Sequence, residues 1–194
     1  MQELRNLTDA IWINILMVVT SIPIVTVGAA ITAAHDANRR ALQGEAGGVT
    51  RNYFTAFRAN FAKSTALWAV FGITGAALAY AWVVLQITPL LVPKIGLTLV
   101  WIIGFEWVFA LQARFENTVG RTLANAFIFG INHILLTVGM IVLDAIWVGL
   151  LAACWFLFPQ GLFLLMIMGY GTMILCHIPL LERGFAQYLK SGEE

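Results

Sequence analysis

Charged residues are scarce in this sequence: Asp, Glu, Lys and Arg make up 11% of its 194 residues, and 60% are hydrophobic. An average soluble domain carries about 25% charged residues. Apolar runs of about twenty residues recur along the chain, and a helix needs about that length to cross a hydrocarbon core about 30 Å thick. The composition therefore excludes a soluble domain. It predicts an all-α, polytopic membrane helical bundle that forms a single integral membrane domain over residues 1–194.

Cysteine is almost absent, since only Cys154 and Cys176 occur, both inside apolar runs and without a CxxC or Cys/His spacing. We therefore expect no disulfide, no metal and no cofactor. A net charge of +1 gives no reason to expect nucleic acid as a partner. The sequence has no GxxxxGK[ST], HExxH or GxSxG motif, so we expect neither direct ATP binding nor enzymatic activity. The first apolar run is too long for a cleavable signal peptide.

Five membrane spans are predicted from the apolar runs and from the turn residues between them. Pro89 and Pro93 separate the second span from the third, and the Phe158–Gly161 turn separates the fourth from the fifth. The predicted spans are residues 10–34, 65–87, 95–112, 134–158 and 162–181, with long loops at 35–64 and 113–133.

The basic residues predict the orientation of these spans. Nine lie in the loops 35–64 and 113–133 and in the C-terminal tail, whereas only Arg5 and Lys94 lie on the other side. Loops rich in Lys and Arg stay in the cytoplasm. We therefore expect the N-terminus outside, and both long loops and the C-terminus inside.

The inner loops contain amphipathic segments. In the first loop, Phe54, Phe57 and Phe61 follow one another at helical spacing, with Arg58 elsewhere around the helix. Such a pattern fits a helix in the inner membrane interface. A helix that caps the bundle from the cytoplasmic side fits it equally well. The loop 113–133 has a similar pattern.

The first predicted span contains an unusual number of small and polar residues. Pro23 lacks an N–H group and is expected to kink the helix there. Asn14, Ser21 and Gly28 recur every seven residues and would share one face of a continuous helix. Small residues let another helix approach closely, so a packing or interaction face is the first interpretation, and a substrate-lining face is the second. This face consists of Asn14, Ser21, Pro23, Thr26, Gly28 and Thr32.

Two acidic residues lie inside the predicted spans and form a candidate intramembrane polar site. Asp144 lies in the middle of span four, where a carboxylate costs about 2.5 to 3.5 kcal/mol and must face protein or water. It is either a proton or cation site, or a structural acid that bonds to groups such as Asn14, Ser21 or Tyr80. Glu106 lies eight residues before Arg114 and is expected to pair near the inner interface.

Three segments together resemble the hallmark sequences of a known bacterial membrane-protein family. They are NILMVVTSIPIVTVGAAITA, YFTAFRANFAKSTALW and ARFENTVGRTLANAF. In this order and spacing they resemble the YesL-like family, also called domain of unknown function 624. The most specific part is the pattern carried by Ile22, Pro23, Thr26 and Gly28. The other matching positions are Asn14, Phe54, Phe57, Phe61, Arg114, Phe115, Asn117, Asn125 and Ala126.

This resemblance implies a function, because genes of the family typically lie beside oligosaccharide ABC importers and glycoside hydrolases. It implies an accessory component of carbohydrate uptake in the bacterial cytoplasmic membrane, with membrane lipid and ABC permease subunits as partners. Two alternatives stay open. One is an autonomous small-solute or ion-coupled carrier with Asp144 in its path, and the other is a homo-oligomer with a structural role.

Overall fold

The computed structural model describes residues 2–190, and these fold into an all-α bundle. The α-helices in the described part are α1 (Gln2–Ser21), α2 (Val27–Leu42), α3 (Val49–Val83), α4 (Leu91–Arg114), α5 (Val119–Asn132), α6 (Ile134–Leu157) and α7 (Gly161–Lys190). Short 3-10 turns precede α2 and α4, at Ile24–Thr26 and Thr88–Leu90. The helical bundle predicted from the sequence is confirmed.

Four helical segments in the described residues are long and apolar enough to cross a membrane: Val49–Val83, Thr88–Arg114, Ile134–Leu157 and Gly161–Ala186. The third and fifth predicted spans lie within these segments, whereas the second extends four residues beyond Val83 and the fourth one residue beyond Leu157. Their outward faces carry many exposed leucine, isoleucine, valine and phenylalanine side chains, which suits contact with lipid rather than water. The chain is therefore a membrane protein.

The first predicted span is wrong, because residues 10–34 do not form one helix. The chain reverses after α1, and α2 returns beside it as an antiparallel helical hairpin. The direction follows from the cavities between the two helices: Leu7 of α1 and Leu42 of α2 line the same one. In the same way, Asp9 and Ala41 line a second cavity.

Pro23 and Thr26 explain why the helix reverses here instead of only kinking. Pro23 lacks an N–H donor, so α1 ends at Ser21. The Thr26 hydroxyl shares its hydrogen between the carbonyl oxygens of Thr20 (2.5 Å) and Pro23 (2.6 Å), and the Thr20 carbonyl is one of the backbone groups that the helix end leaves free. Asn14 and Gly28 belong to different helices. The residues that recur every seven positions therefore do not share the single helical face that the sequence predicted.

The reversal also changes the predicted position of the N-terminus. Arg5 of α1 lines the same cavity as Gly44 and Glu45, which follow α2. The beginning of α1 thus lies at the same end of the hairpin as the first basic loop. The prediction that a membrane crossing separates them is incorrect.

The aromatic segment of the first inner loop is continuous with the second predicted span. Together they form α3, a single helix of 35 residues and about 52 Å. Its buried side contains Tyr53, Ala56, Ser64 and Leu67, which point towards the hairpin and the rest of the bundle. The segment is therefore not a separate helix in the membrane interface.

The core lies where the α1–α2 hairpin, α3, α4 and α7 meet. Large side chains fill it, among them the fully buried Trp107, Tyr53 and Phe109. A polar link also joins three helices, since Gln112 of α4 donates to Asn60 of α3 (2.9 Å) and accepts from Thr122 of α5 (3.3 Å). This packing fixes α4 in position, and α4 carries one of the two acidic residues singled out above.

Candidate functional site

Three helices each bring one ionisable side chain to a common point inside the bundle. Glu106 comes from α4, Asp144 from α6 and His177 from α7. One potential ligand atom from each residue lies within 4.8 Å of the other two. We call Glu106, Asp144 and His177 the intramembrane triad.

The triad is shielded from solvent. Glu106 is 7% exposed and His177 is 1% exposed. The Asp144 side chain is 27% exposed, but its Oδ1 atom is buried and lies 3.2 Å from His177 Nε2. The antiparallel packing of α6 and α7 produces this approach, because Asp144 and His177 lie at the same level of the two helices.

Some buried polar atoms of the triad lack a hydrogen bond. Three buried atoms, Glu106 Oε2, Asp144 Oδ1 and His177 Nε2, make no well-aligned hydrogen bond among the described residues, although Nε2 and Oδ1 are only 3.2 Å apart. Buried polar atoms are normally paired, so such a group calls for an explanation. Two carboxylates this close also repel each other when both are ionised. A proton or a metal cation at this point would relieve both problems.

Two features lie beside His177: the ring of Tyr170 and a small cavity lined by the next residue of α7. The Tyr170 ring packs edge-on against the His177 imidazole, with 6.5 Å between ring centroids. Next to His177 in the chain, Ile178 lines a cavity of about 20 Å³ together with His35 and Glu182. A cavity of that size holds about one water molecule.

The structure shows which groups lie beside the two acidic residues. The neighbours of Glu106 are Asp144 and His177, and Arg114, eight residues further along α4, contacts Glu182 of α7 (3.6 Å). Asp144 does not bond to Asn14, Ser21 or Tyr80, because His177 is its neighbour. The predicted polar site therefore consists of Glu106 and Asp144 with His177 added.

Asn14 has a separate role at a break in α7. Gly169 has φ 54°, outside the helical region, so the backbone hydrogen bonding of α7 is interrupted there. The Asn14 side chain fills the break: its Nδ2 donates to the carbonyl oxygens of Met166 (3.1 Å) and Ile167 (2.8 Å), and its Oδ1 accepts from Gly171 N–H (3.1 Å). Asn14 thus replaces the missing helical hydrogen bonds, as buried polar residues do in broken membrane helices.

Gly28 and Thr32 lie where α2 packs on α3. A Cβ atom on Gly28 would collide with the carbonyl oxygen of Ser64 and would lie 2.6 Å from the Trp68 Cβ. The Thr32 hydroxyl shares a hydrogen bond of 2.9 Å with Ser64 Oγ. The helix that approaches this small-residue face is therefore α3 of the same chain.

The other residues of the predicted face lie at the tip of the hairpin. Ser21 is half-buried and Pro23 is exposed, with Thr26 between them and α2. Exposed apolar side chains surround the tip, including Ile22, which is 75% exposed, and Ile24, which is 74% exposed. The face thus divides into a buried seam and an exposed apolar tip.

The predicted amphipathic residues lie along the first four turns of α3. Phe57 is half-buried and stacks on the buried ring of Tyr53, with 6.3 Å between centroids. Phe54, Arg58 and Phe61 face outwards and are exposed. The aromatic residues therefore divide between the hairpin contact and an outer surface.

Sequence reasoning did not identify His177, Gly169 or Gly171 as partners in these two sites. His177 lies near the end of the predicted span 162–181, where a lone histidine usually finds hydrogen-bond partners on neighbouring residues. Nothing in the sequence therefore connected it with the two acidic residues. The only signal for the break in α7 was the closely spaced pair Gly169 and Gly171 inside an apolar run. Glycine in a helix interior costs about 1 kcal/mol relative to alanine and usually has a packing reason.

Residues 10–82 match the model of a family described as "Protein of unknown function, DUF624". The matched part contains most of α1 and all of α2, with α3 up to Trp82. It includes two of the three segments that resemble the YesL-like family, so that resemblance is confirmed over these residues. Neither the curated proteins nor the solved structures gave a match to the chain.

Proposed function

We propose that this membrane protein is an accessory component of a carbohydrate uptake system in the bacterial cytoplasmic membrane, associated with an ABC importer for oligosaccharides. The observation that carries the proposal is the match of residues 10–82 to the DUF624 family model. The YesL-like resemblance implies this role through the importer and glycoside hydrolase genes that lie beside members of the family.

The packing of the described bundle favours a subunit over a sugar conduit. Trp107, Phe109 and Phe185 are fully buried and fill the space between α4 and its neighbours. Interiors packed in this way leave few voids larger than a water molecule. An oligosaccharide is much wider than that, so it would have to cross through a partner protein.

The outer surface of α3 is the contact surface we propose for the permease. The small-residue seam around Gly28 is already covered by Ser64 and Trp68 of α3, so it is not free for another protein. Phe54, Arg58 and Phe61 on the first half of α3 are exposed. Aromatic and arginine side chains of this kind are enriched at protein interfaces.

We expect the tagged full-length protein to co-purify with ABC permease subunits in stoichiometric amounts from its native host in a mild detergent. The measurement is mass spectrometry of the purified complex. Changing both Phe54 and Phe61 to alanine should lower the permease yield on the order of tenfold, because aromatic anchors provide much of the binding energy of an interface.

The matched control is Ile73→Ala, which removes an exposed apolar side chain (72% exposed) from a later turn of the same helix. This variant should retain the permease at the wild-type level. A clean monomer or homo-oligomer from the wild-type protein would contradict the accessory role.

A second candidate function, an autonomous ion-coupled carrier, is favoured by the intramembrane triad. Carboxylates and histidines inside membrane spans commonly mark proton or ion pathways. Asp144 would then take up and release the coupling ion, with His177 as its neighbour at 3.2 Å.

Under this second function, Asp144→Asn should reduce proton influx into proteoliposomes to the level of protein-free vesicles. The measurement uses an entrapped pH-sensitive dye and an imposed pH gradient, with the amount of reconstituted protein determined for each sample. Asp9→Asn is the control, since Asp9 lies on α1 beside Arg5 (4.0 Å) and outside the triad. Equal influx through wild type and Asp144→Asn would argue against a carrier.

A further inference from the structure

We propose that Glu106, Asp144 and His177 bind one divalent transition-metal ion of the Zn²⁺ class. This inference goes beyond the accessory role and stands whether or not the chain associates with a permease. It rests on the positions, burial and missing partners of the three side chains.

The separation of the ligand atoms suits such an ion. Zn²⁺ binds histidine nitrogen and carboxylate oxygen at about 2.0 to 2.2 Å, so neighbouring ligand atoms around a tetrahedral ion lie about 3.4 Å apart. His177 Nε2 and Asp144 Oδ1 are already 3.2 Å apart. The Glu106 carboxylate lies within 4.8 Å of both, so a small side-chain rotation would complete the set.

The missing hydrogen bonds provide an independent reason. Glu106 and His177 are each more than nine-tenths buried, and each has an unpartnered atom, Oε2 and Nε2 respectively. The Asp144 Oδ1 atom, between them in the chain, is also unpartnered. Leaving a buried polar atom unsatisfied costs stability, and a single bound cation would provide a partner for all three.

The charge balance favours a divalent ion over a single proton. One divalent ion would compensate both carboxylates in their ionised forms, whereas protons would have to occupy two separate positions to do the same. Arg114, on the same helix as Glu106, contacts Glu182, and Arg39 and Arg40 of α2 contact Asp36. They are therefore poorly placed to neutralise the triad.

The mixture of donors indicates the class of metal. Ca²⁺ and Mg²⁺ prefer sites made only of oxygen ligands. An imidazole nitrogen together with carboxylates favours Zn²⁺ and neighbouring transition metals such as Co²⁺ and Fe²⁺. Three protein ligands also leave a coordination position open for water, as in zinc sites that are not purely structural.

The test is the zinc content of the purified full-length protein. The protein is stripped with EDTA in detergent, incubated with Zn²⁺, desalted and analysed by elemental mass spectrometry. We expect about one zinc ion per chain for wild type. Glu106→Gln, Asp144→Asn and His177→Gln should each weaken zinc binding by on the order of a hundredfold or more, because each removes a direct ligand and losing even an outer-shell partner costs about 10- to 100-fold.

Glu182→Gln is the matched control, since it changes a carboxylate of α7 that contacts Arg114 outside the triad. It should bind zinc like wild type. Thermal melting provides a second readout that also reports folding: Zn²⁺ should raise the Tm of wild type and Glu182→Gln but not that of the three triad variants.

Two results would overturn the proposal. Wild-type protein that is folded but retains no zinc would identify the triad as a proton site only. Zinc that binds equally well to folded triad variants would place the metal elsewhere. Both results are obtained on the isolated chain, so they are distinguishable from a failed permease pull-down.

Discussion

Leucine in place of Gly28 is expected to prevent the accumulation of folded protein. At this position α2 and α3 approach so closely that even a Cβ atom would collide with the Ser64 carbonyl oxygen and lie 2.6 Å from the Trp68 Cβ. Backbone and Cβ atoms cannot rotate away, so the two helices would have to separate. Overpacking a core costs about 1 to 3 kcal/mol and occasionally more, and we expect the upper end here.

Fluorescence-detected size-exclusion chromatography of a tagged protein measures this effect. The wild type should elute as a single sharp peak, whereas Gly28→Leu should give little protein or an aggregate. Gly149→Leu is the matched control, because a side chain added on that turn of α6 meets open space. A normal peak from Gly28→Leu would show that the hairpin does not pack on α3 as described.

The second large effect is expected from Asn14→Leu. Asn14 is 1% exposed and makes three hydrogen bonds to the broken backbone of α7, two to carbonyl oxygens and one from Gly171 N–H. Leucine makes none of them and leaves the backbone groups unpaired inside the protein. Each buried unpaired group costs about 1 to 3 kcal/mol, so the total loss should be about 3 kcal/mol or more.

Thermal unfolding in detergent is the appropriate measurement, with an expected decrease in Tm of about 6 °C or more. Asn6→Leu is the control, since it makes the same change on the half-buried side of α1 away from the break in α7. Asn14→Asp tests the mechanism further, because aspartate keeps the acceptor for Gly171 N–H and loses the donor to the two carbonyls. Equal Tm values for wild type and Asn14→Leu would disprove the role of Asn14 as a bridge.

Much of the fold could be predicted because hydrophobicity is a local property of the sequence. The apolar runs at 65–87, 95–112, 134–158 and 162–181 each fall within a helix long and apolar enough to cross a membrane, to within four residues at the ends. No distant contact is needed to make such a run helical, since in lipid a helix satisfies its own backbone. Pro23 likewise indicated where regular helix would be interrupted.

The direction of the chain after Pro23 could not be predicted in the same way. A proline shows that a helix is interrupted but not where the next helix goes. That depends on distant residues: Gly28 fits against Ser64, and Asn14 fits against Gly171. The hydrophobic content of residues 10–34 is the same in either arrangement, so the run was interpreted as one span.

In the candidate site, too, some features follow from the local sequence and others depend on distant contacts. The sequence by itself determined that this is a helical membrane protein and that Asp144 has to face protein or water, because burying a charge in lipid is costly wherever the chain goes. Only the tertiary structure decided that Glu106 and His177 are its neighbours, since the three residues lie on three different helices and more than thirty residues separate each from the next. The free energy of placing a segment in lipid is a sum over its own residues, so it can be estimated from the sequence. A site of converging side chains depends instead on how the helices pack.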